Sequence, residues 1–206
     1  SYIKLMKHSF DQEQEQNTNI LIGHPNQNAY VSHKALMRMQ DFCRLDIYKK
    51  ERIKPVKHGC KEIFSFDDRF KKYFNKISSS YDFCFLQSIE RLNWRYFEHP
   101  NKPYNVFIDH NNREVTGHII LNKRVDVLGN KVVHIMNIHA FDNDAFNNLI
   151  FAAESYARDC RHIDIWCVNG FPFIGTLKNI GFRKVSSRPV VIKTFNGCEI
   201  GYQNGK

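Results

Sequence analysis

Apolar residues at positions 2, 3, 5, 6 and 10 recur at helical spacing, and the Gln- and Asn-rich stretch 11–19 ends that predicted helix. The run Asn19-Ile20-Leu21-Ile22 reads as a short buried strand, stopped by Gly23-His24-Pro25-Asn26. Residues 29–37 then suit a helix and 42–48 a second strand. Residues 49–65 are basic and weakly periodic and read as a connection between two structural units. Phe70, Tyr73, Phe74 and Ile77, three and four apart, share one face of a helix that Asp67 or Asp68 can cap. A second helical stretch, 86–97, is closed by His99-Pro100, because proline cannot continue a helix.

The pattern is clearest after Tyr104. A strand over 104–109 turns at 110–113 into a return strand over 114–125, which a tight turn at Leu128-Gly129-Asn130 joins to a third strand over 131–141. Asp142-Asn143-Asp144 then caps a long helix whose stripe is Phe146, Leu149, Ile150, Ala153, Tyr156, Ala157 and Cys160. A buried strand over 163–168, a short helical segment over 173–180 closed by Gly181, and a last strand over 185–195 complete the chain. Pro189 in that last strand suggests an edge or bulged position. Three antiparallel strands, a helix and a further parallel strand predict an α/β fold with a mixed sheet.

Composition narrows the class. With 206 residues, 42% hydrophobic content and only six Pro and ten Gly, the chain is globular. Its longest apolar run, near Ala152, is interrupted by Glu154 and Arg158, so no membrane span is expected, and the opening residues lack a secretory pattern, which points to the cytoplasm. A formal charge of +9 makes an anionic partner the first consideration. The densest cluster, Lys49, Lys50, Arg52, Lys54 and Lys57, with Lys71 and Lys72 beyond, carries no RNA-binding motif. A solvated basic face or a phosphate-bearing small ligand explains it better than nucleic acid, whose binding would weaken steeply with salt. The six cysteines form no C-x-x-C pair, so no metal site is expected. Cys84 and Cys167 sit among aromatic and branched neighbours and read as core residues, and neither His58-Gly59-Cys60 nor Cys160-Arg161-His162 has a partner at a diagnostic spacing.

The string Leu92-Asn93-Trp94-Arg95-Tyr96-Phe97-Glu98-His99-Pro100, the hairpin through Gly117 and Asn179-Ile180-Gly181-Phe182 together resemble the GNAT acyltransferase superfamily, and in particular the carboxyl-terminal part of a tandem-GNAT protein. The resemblance covers residues 64–196, and Leu21-Ile22-Gly23-His24-Pro25-Asn26-Gln27-Asn28-Ala29-Tyr30 resembles the strand-to-helix turn of a first GNAT unit. It implies a partial GNAT-like strand-helix-strand unit over 1–60, incomplete at its start, and over 61–206 a GNAT-like domain with a mixed central sheet flanked by helices. Two departures stand out. His139-Ala140-Phe141-Asp142-Asn143-Asp144 replaces the glycine-rich loop that cradles the CoA pyrophosphate, and its carboxylates repel an anion. Leu177 stands where many relatives place the tyrosine that protonates the leaving thiolate.

The resemblance implies an acyl-CoA co-substrate and an N-acyltransferase acting on an amine of a small or sugar-linked acceptor, such as an amino sugar or sugar nucleotide. Backbone groups around Met136, Asn137 and Ile138 would hold the pantetheine arm, with Phe171 and Phe173 lining its slot. Simple alternation places His134, Met136, Ile138 and Ala140 on one face of that strand and Ile135, Asn137, His139 and Phe141 on the other. His139 and Asp142 are candidates for the base or the acceptor-amine contact, and read equally as a hydrogen-bonded histidine beside a helix cap. Trp94, Arg95 and Tyr96 can face an anionic sugar nucleotide or pack structurally, and Phe171 and Phe173 can simply fill the core. The alternative function is a non-catalytic, degenerate GNAT-fold module that binds an acceptor or a protein partner.

Overall fold

The computed structural model describes residues 18–80, 88–100, 104–112 and 114–195, together with positions 8 and 12. The helix expected over 2–10, and Cys84 and Cys198, lie outside the described residues. The chain divides into two compact units: residues 1–47, 167–171 and 184–206 form the first, and 48–166 with 172–183 the second.

The first unit contains β1 (Ile20–Gly23), α1 (Gln27–Ala35) and most of β2 (Gln40–Lys50) and β8 (Arg183–Thr194), with strand order β1-β8-β2. The chain can leave β1 and enter α1 within three residues because Asn26 caps the helix, its side chain accepting from Ala29 N at 2.8 Å. Met37, Met39, Val191 and Phe195 form the core of this unit, with Leu21 and Tyr30 packed against it. The last strand therefore belongs with the start of the chain, and the two units do not follow a single division near residue 60. Pairing decides this: Ile20 lies opposite Thr194 and Gly23 opposite Val191. β8 is consequently not an edge strand. Pro189 is accommodated because the β1 ladder ends at Val191, so no β1 residue needs an N–H from position 189.

The second unit holds β3 (Lys61–Ile63), α2 (Arg69–Ser78), α3 (Ile89–Asn93) continuing into a π-helical turn (Trp94–Glu98), β4 (Tyr104–Asn111), β5 (Glu114–Val125), β6 (Lys131–Ala140), α4 (Asn143–Tyr156), β7 (His162–Val168) and α5 (Ile174–Asn179). The strands lie in the order β7-β6-β5-β4-β3; all neighbours are antiparallel except β6 and β7. β3 falls inside the stretch read as a connection. Three residues are too few to show a period, and only their pairing with β4 defines the strand.

Each face of this sheet is covered by a helical layer. On one face α2, α3 and the π-helical turn bury Phe70, Tyr73, Phe74, Leu92 and Tyr96 against Val106, Ile108 and Ile120. On the other lies α4, whose Tyr156 Oη donates to Asn105 Oδ1 at 2.6 Å and whose Asn148 donates to Asp109 at 3.1 Å. Gly117 permits this approach: a Cβ there would lie 2.8 Å from both the His139 carbonyl oxygen and Leu149 Cδ1. Gly117→Ala is therefore expected to cost about 1–3 kcal/mol, read as a lowered urea midpoint. An unchanged midpoint would mean that the backbone gives way freely.

One charge is placed against expectation. Lys50, part of the basic cluster, is not on a solvated face: its ammonium pairs with Glu154, which is only 2% exposed on the inner side of α4. Lys54 N also reaches Glu154 Oε2, at 3.3 Å, and Ser155 Oγ donates to Val56 O at 2.7 Å, so the stretch after β2 is tied to α4. Among the described residues no helix is long and apolar enough to cross a membrane.

Candidate functional site

β6 and β7 start as neighbours and then part. Their parallel ladder runs from Val132 opposite His162 to Ile135 opposite Ile165 and goes no further, although β6 continues to Ala140 and β7 to Val168. The cause lies on the other edge of β6. There Leu121 faces Ile135 and Ile120 faces Asn137, so Met136 is an extra residue, a β-bulge. A bulge bends its strand and re-aims the residues after it. Beyond it β6 and β7 form no further pair in the ladder, and Met136 itself is 37% exposed.

The bulge also corrects the alternation expected for β6. Residues directly opposite in a ladder share a face, so Ile135 and Ile138, paired with Leu121 and Ile119, lie on the same side. His134, Asn137 and His139, opposite Asn122, Ile120 and His118, share the face covered by α2. One inserted residue thus gathers three polar side chains that strict alternation separates.

Two polar clusters result. Tyr73 of α2 places its Oη 2.8 Å from His118 Nδ1 and 3.2 Å from His139 Nδ1, with the His139 carbonyl oxygen at 3.3 Å. A phenol has one proton to give, and the shortest contact takes it, so Tyr73 donates to His118 and accepts from His139 Nδ1–H. That tautomer makes Nε2 the proton-accepting atom of His139. Asn137 completes the chain by hydrogen-bonding the His118 ring. Burial, together with the neighbouring His139, holds His118 down at about 3, and burial holds His139 at about 4. In the second cluster His134 Nδ1 pairs with Asp164 Oδ1, and His162 Nε2 lies 3.7 Å from Asp164 Oδ2. His134 and Asp164 face each other across the paired part of β6 and β7, one rung before the strands separate. Among the described residues no group of three or more His, Cys, Asp or Glu is arranged to hold a metal ion.

Both histidines of the first cluster are neutral in the fold and titrate below the ordinary histidine value. The stability they contribute is complete above about pH 6.5 and is lost as the pH falls toward 4 and then 3, because the unfolded chain takes up protons that the folded one refuses. The slope approaches the full ~1.4 kcal/mol per pH unit for buried His118 and is smaller for half-buried His139. Urea midpoints between pH 4.5 and 7 should rise with pH, and His118→Gln should flatten the curve. A flat curve for the parent protein would refute this.

The remaining candidates are not all brought together. Asp142 is the N-cap of α4, its carboxylate accepting from Ala145 N at 2.8 Å, with Asp144 in the first turn. Two carboxylates at this helix start disfavour a pyrophosphate there, so the parting of the strands fits a pantetheine arm while the α4 N-terminus does not fit the diphosphate. Phe173 stacks on fully buried Phe146, centroids 4.4 Å apart, and so fills core. Phe171 falls in the first unit, its N–H donating to Val168 O at 3.1 Å. Trp94 is 58% exposed, Tyr96 is buried, and the Arg95 guanidinium lies 5.5 Å from the Tyr96 ring, so these three consecutive residues do not converge on one surface. Leu177 is fully buried and offers no acid.

Cys60 and Cys167 are pushed up to about 12, chiefly by burial, with the Asp109 and Asp46 carboxylates adding to it, which leaves neither a nucleophile. Asp164, Tyr73 and His118 escaped the sequence reading. For Asp164 there was a signal, a lone carboxylate between the apolar residues Ile163 and Ile165-Trp166. Nothing local marked Tyr73, which reads as one more core aromatic.

Comparison with solved structures identifies the fold. The chain is similar to a GCN5-related N-acetyltransferase from Anabaena variabilis (12% identity, TM-score 0.65, 95% of this chain and 51% of that one). It is also similar to a GCN5-related N-acetyltransferase from Kribbella flavida (8%, 0.58, 92% and 46%) and to Saccharomyces cerevisiae N-myristoyltransferase with bound myristoyl-CoA (8%, 0.57, 74% and 50%). The chain spans about half the length of these structures. No protein-family model matches it, and no curated protein matches it. The mixed sheet flanked by helices is the GNAT fold.

Proposed function

We propose that this chain is an acyl-CoA-dependent N-acyltransferase, or the carboxyl-terminal part of one, which transfers an acetyl or longer acyl group to an amine of a small or sugar-linked acceptor. The observation that carries this reading is the parting of β6 and β7 at the Met136 bulge. Unpaired backbone groups at Met136, Asn137 and Ile138 can bond the amides of a pantetheine arm and polarise a thioester carbonyl. Bound acyl-CoA supplies the activated carbonyl; this chain's side chains manage the proton. On the α2-covered face, His134, oriented by Asp164, is the imidazole we assign to accept the proton of the attacking amine, and His139 with Tyr73 extends the hydrogen-bonded path. Asp142 acts by positioning, because its carboxylate is committed to the start of α4.

Release of free thiol from acetyl-CoA in the presence of simple amines and amino sugars tests the reading, with binding measured separately by calorimetry. His134→Ala is expected to lower kcat at least roughly tenfold with little change in KM, and His139→Ala to have a smaller effect. Full-rate His134→Ala would remove that residue from the mechanism. The carboxylates at Asp142 and Asp144 and the buried Leu177 favour a second reading, a GNAT-fold module that binds an acceptor or a partner without catalysis. Absence of acetyl-CoA binding at millimolar concentration would leave that one standing.

A further inference from the structure

We infer that the tip of the β5–β6 hairpin docks on the surface of an anionic lipid bilayer, with Val125, Val127 and Leu128 entering the acyl chains and the neighbouring arginines binding lipid phosphates. Val127 is fully exposed, Leu128 79% and Val125 64%. Apolar side chains scattered singly over a surface need no explanation, but three within four residues at one tip form a patch. Nothing in the turn asks for them. It is closed by Asp126 N donating to Asn130 O at 2.9 Å and Gly129 N to Asp126 O at 3.0 Å, with Gly129 at φ +82°. The Asp126 carboxylate supplies the rest by accepting from Leu128 N and Asn130 N. Polar residues would serve equally well at 127 and 128, and turns usually hold them.

The charge at this end of the sheet is positive. Exposed Arg124 precedes Val125, and exposed Arg161 lies against the turn, its N–H donating to Lys131 O at 2.8 Å and its Nη1 to Asn130 Oδ1 at 3.3 Å. Neither arginine, nor exposed Arg158 just after α4, has an ion pair among the described residues. The acids nearby are already engaged. Lys123 and Lys131 share the single carboxylate of Asp159, and Asp126 is held by the amides of its own turn. Lys49 and Glu51 both act on His162, with opposite sign. An apolar tip flanked by unpaired guanidiniums matches a bilayer surface, where anionic headgroups lie above the acyl chains. A protein partner fits less well, because a stable interface buries about 800 Å² on each side, more than three aliphatic side chains at a turn present. The contact is peripheral, since among the described residues no helix is long and apolar enough to cross a membrane. The tip precedes β6 and the parting from β7 lies toward its far end, so the inference does not rest on the transferase reading.

Flotation of the full chain with vesicles of phosphatidylglycerol and phosphatidylcholine, against phosphatidylcholine alone, tests it. The protein should float with the anionic vesicles and not with the neutral ones, and added salt should weaken binding. A chain of charge +9 can adsorb to anionic lipid by charge alone, so the apolar tip is tested separately. The double variant Val127→Ser, Leu128→Ser should bind at least roughly tenfold more weakly. Its urea midpoint should match the parent's, because neither side chain is buried by folding. Arg124→Ala and Arg161→Ala should each weaken binding about fivefold. Brominated acyl chains in the anionic vesicles should quench Val127→Trp fluorescence more than the parent's. No flotation with anionic vesicles, binding unmoved in the serine variant, or a Val127→Trp signal quenched no more than the parent's would overturn the inference. So would dimers of the parent that the serine variant loses, which would assign the tip to a second copy of the chain.

Discussion

Deleting Met136 is expected to abolish acyl-CoA binding while leaving the protein folded. Because Met136 is the extra residue of a bulge, its removal keeps Ile135 opposite Leu121 and Asn137 opposite Ile120, so every other pair in the β5–β6 ladder stays in register. What changes is the direction of β6 beyond that point, which can then continue its ladder with β7 and satisfy the backbone groups that an acyl-pantetheine arm would use. Misplacement of such groups by an ångström costs on the order of 100-fold, so affinity and turnover should both fall by at least about that factor. Circular dichroism and a urea transition close to the parent's would show the fold intact. A folded deletion variant with parental affinity would remove the physical basis of the transferase reading.

The largest loss of stability is expected from Lys50→Met. Glu154 is almost completely buried, and removing its cation leaves a charge with neither water nor a partner except Lys54 N at 3.3 Å. Breaking a buried pair in this way costs about 3–5 kcal/mol. The double variant Lys50→Met, Glu154→Leu should recover most of that loss, since replacing a buried ion pair by apolar groups of similar volume is often neutral. Urea denaturation of the two single variants and the double variant yields the coupling directly. A Lys50→Met protein within about 1 kcal/mol of the parent would mean that water reaches Glu154 and that the stretch after β2 is held some other way.

The candidate site shows how the two kinds of information divide. His139, Asp142 and Met136 were visible because they stand next to a recognisable junction, where a strand meets a capped helix. Their roles were not visible. Asp142 is the cap itself, and the two faces of β6 could be assigned only once the bulge was located, because a single inserted residue reverses the alternation on one side of it. Trp94-Arg95-Tyr96 was conspicuous as a string, yet successive residues of a helix point in different directions, and one is in the core while another faces solvent. The hydrogen-bonded partners His134 with Asp164 and Tyr73 with His118 come from different elements.

Read alone, the sequence determined what depends on neighbours along the chain. It defined the meander from Tyr104, the Asp142 helix start, the long α4 stripe and the tight turn at 128–130, which the Asp126 carboxylate braces by accepting from Leu128 N and Asn130 N at 2.9 Å. Period and turn chemistry are local, so they can be read locally. Tertiary structure alone decided that β8 returns to β1, that β6 carries its extra residue at Met136 and leaves β7 there, and that Lys50 is a buried counter-ion. Those outcomes depend on which distant strand or helix supplies the partner, and a ladder's register or a buried charge's counter-ion is settled only when the whole sheet is assembled.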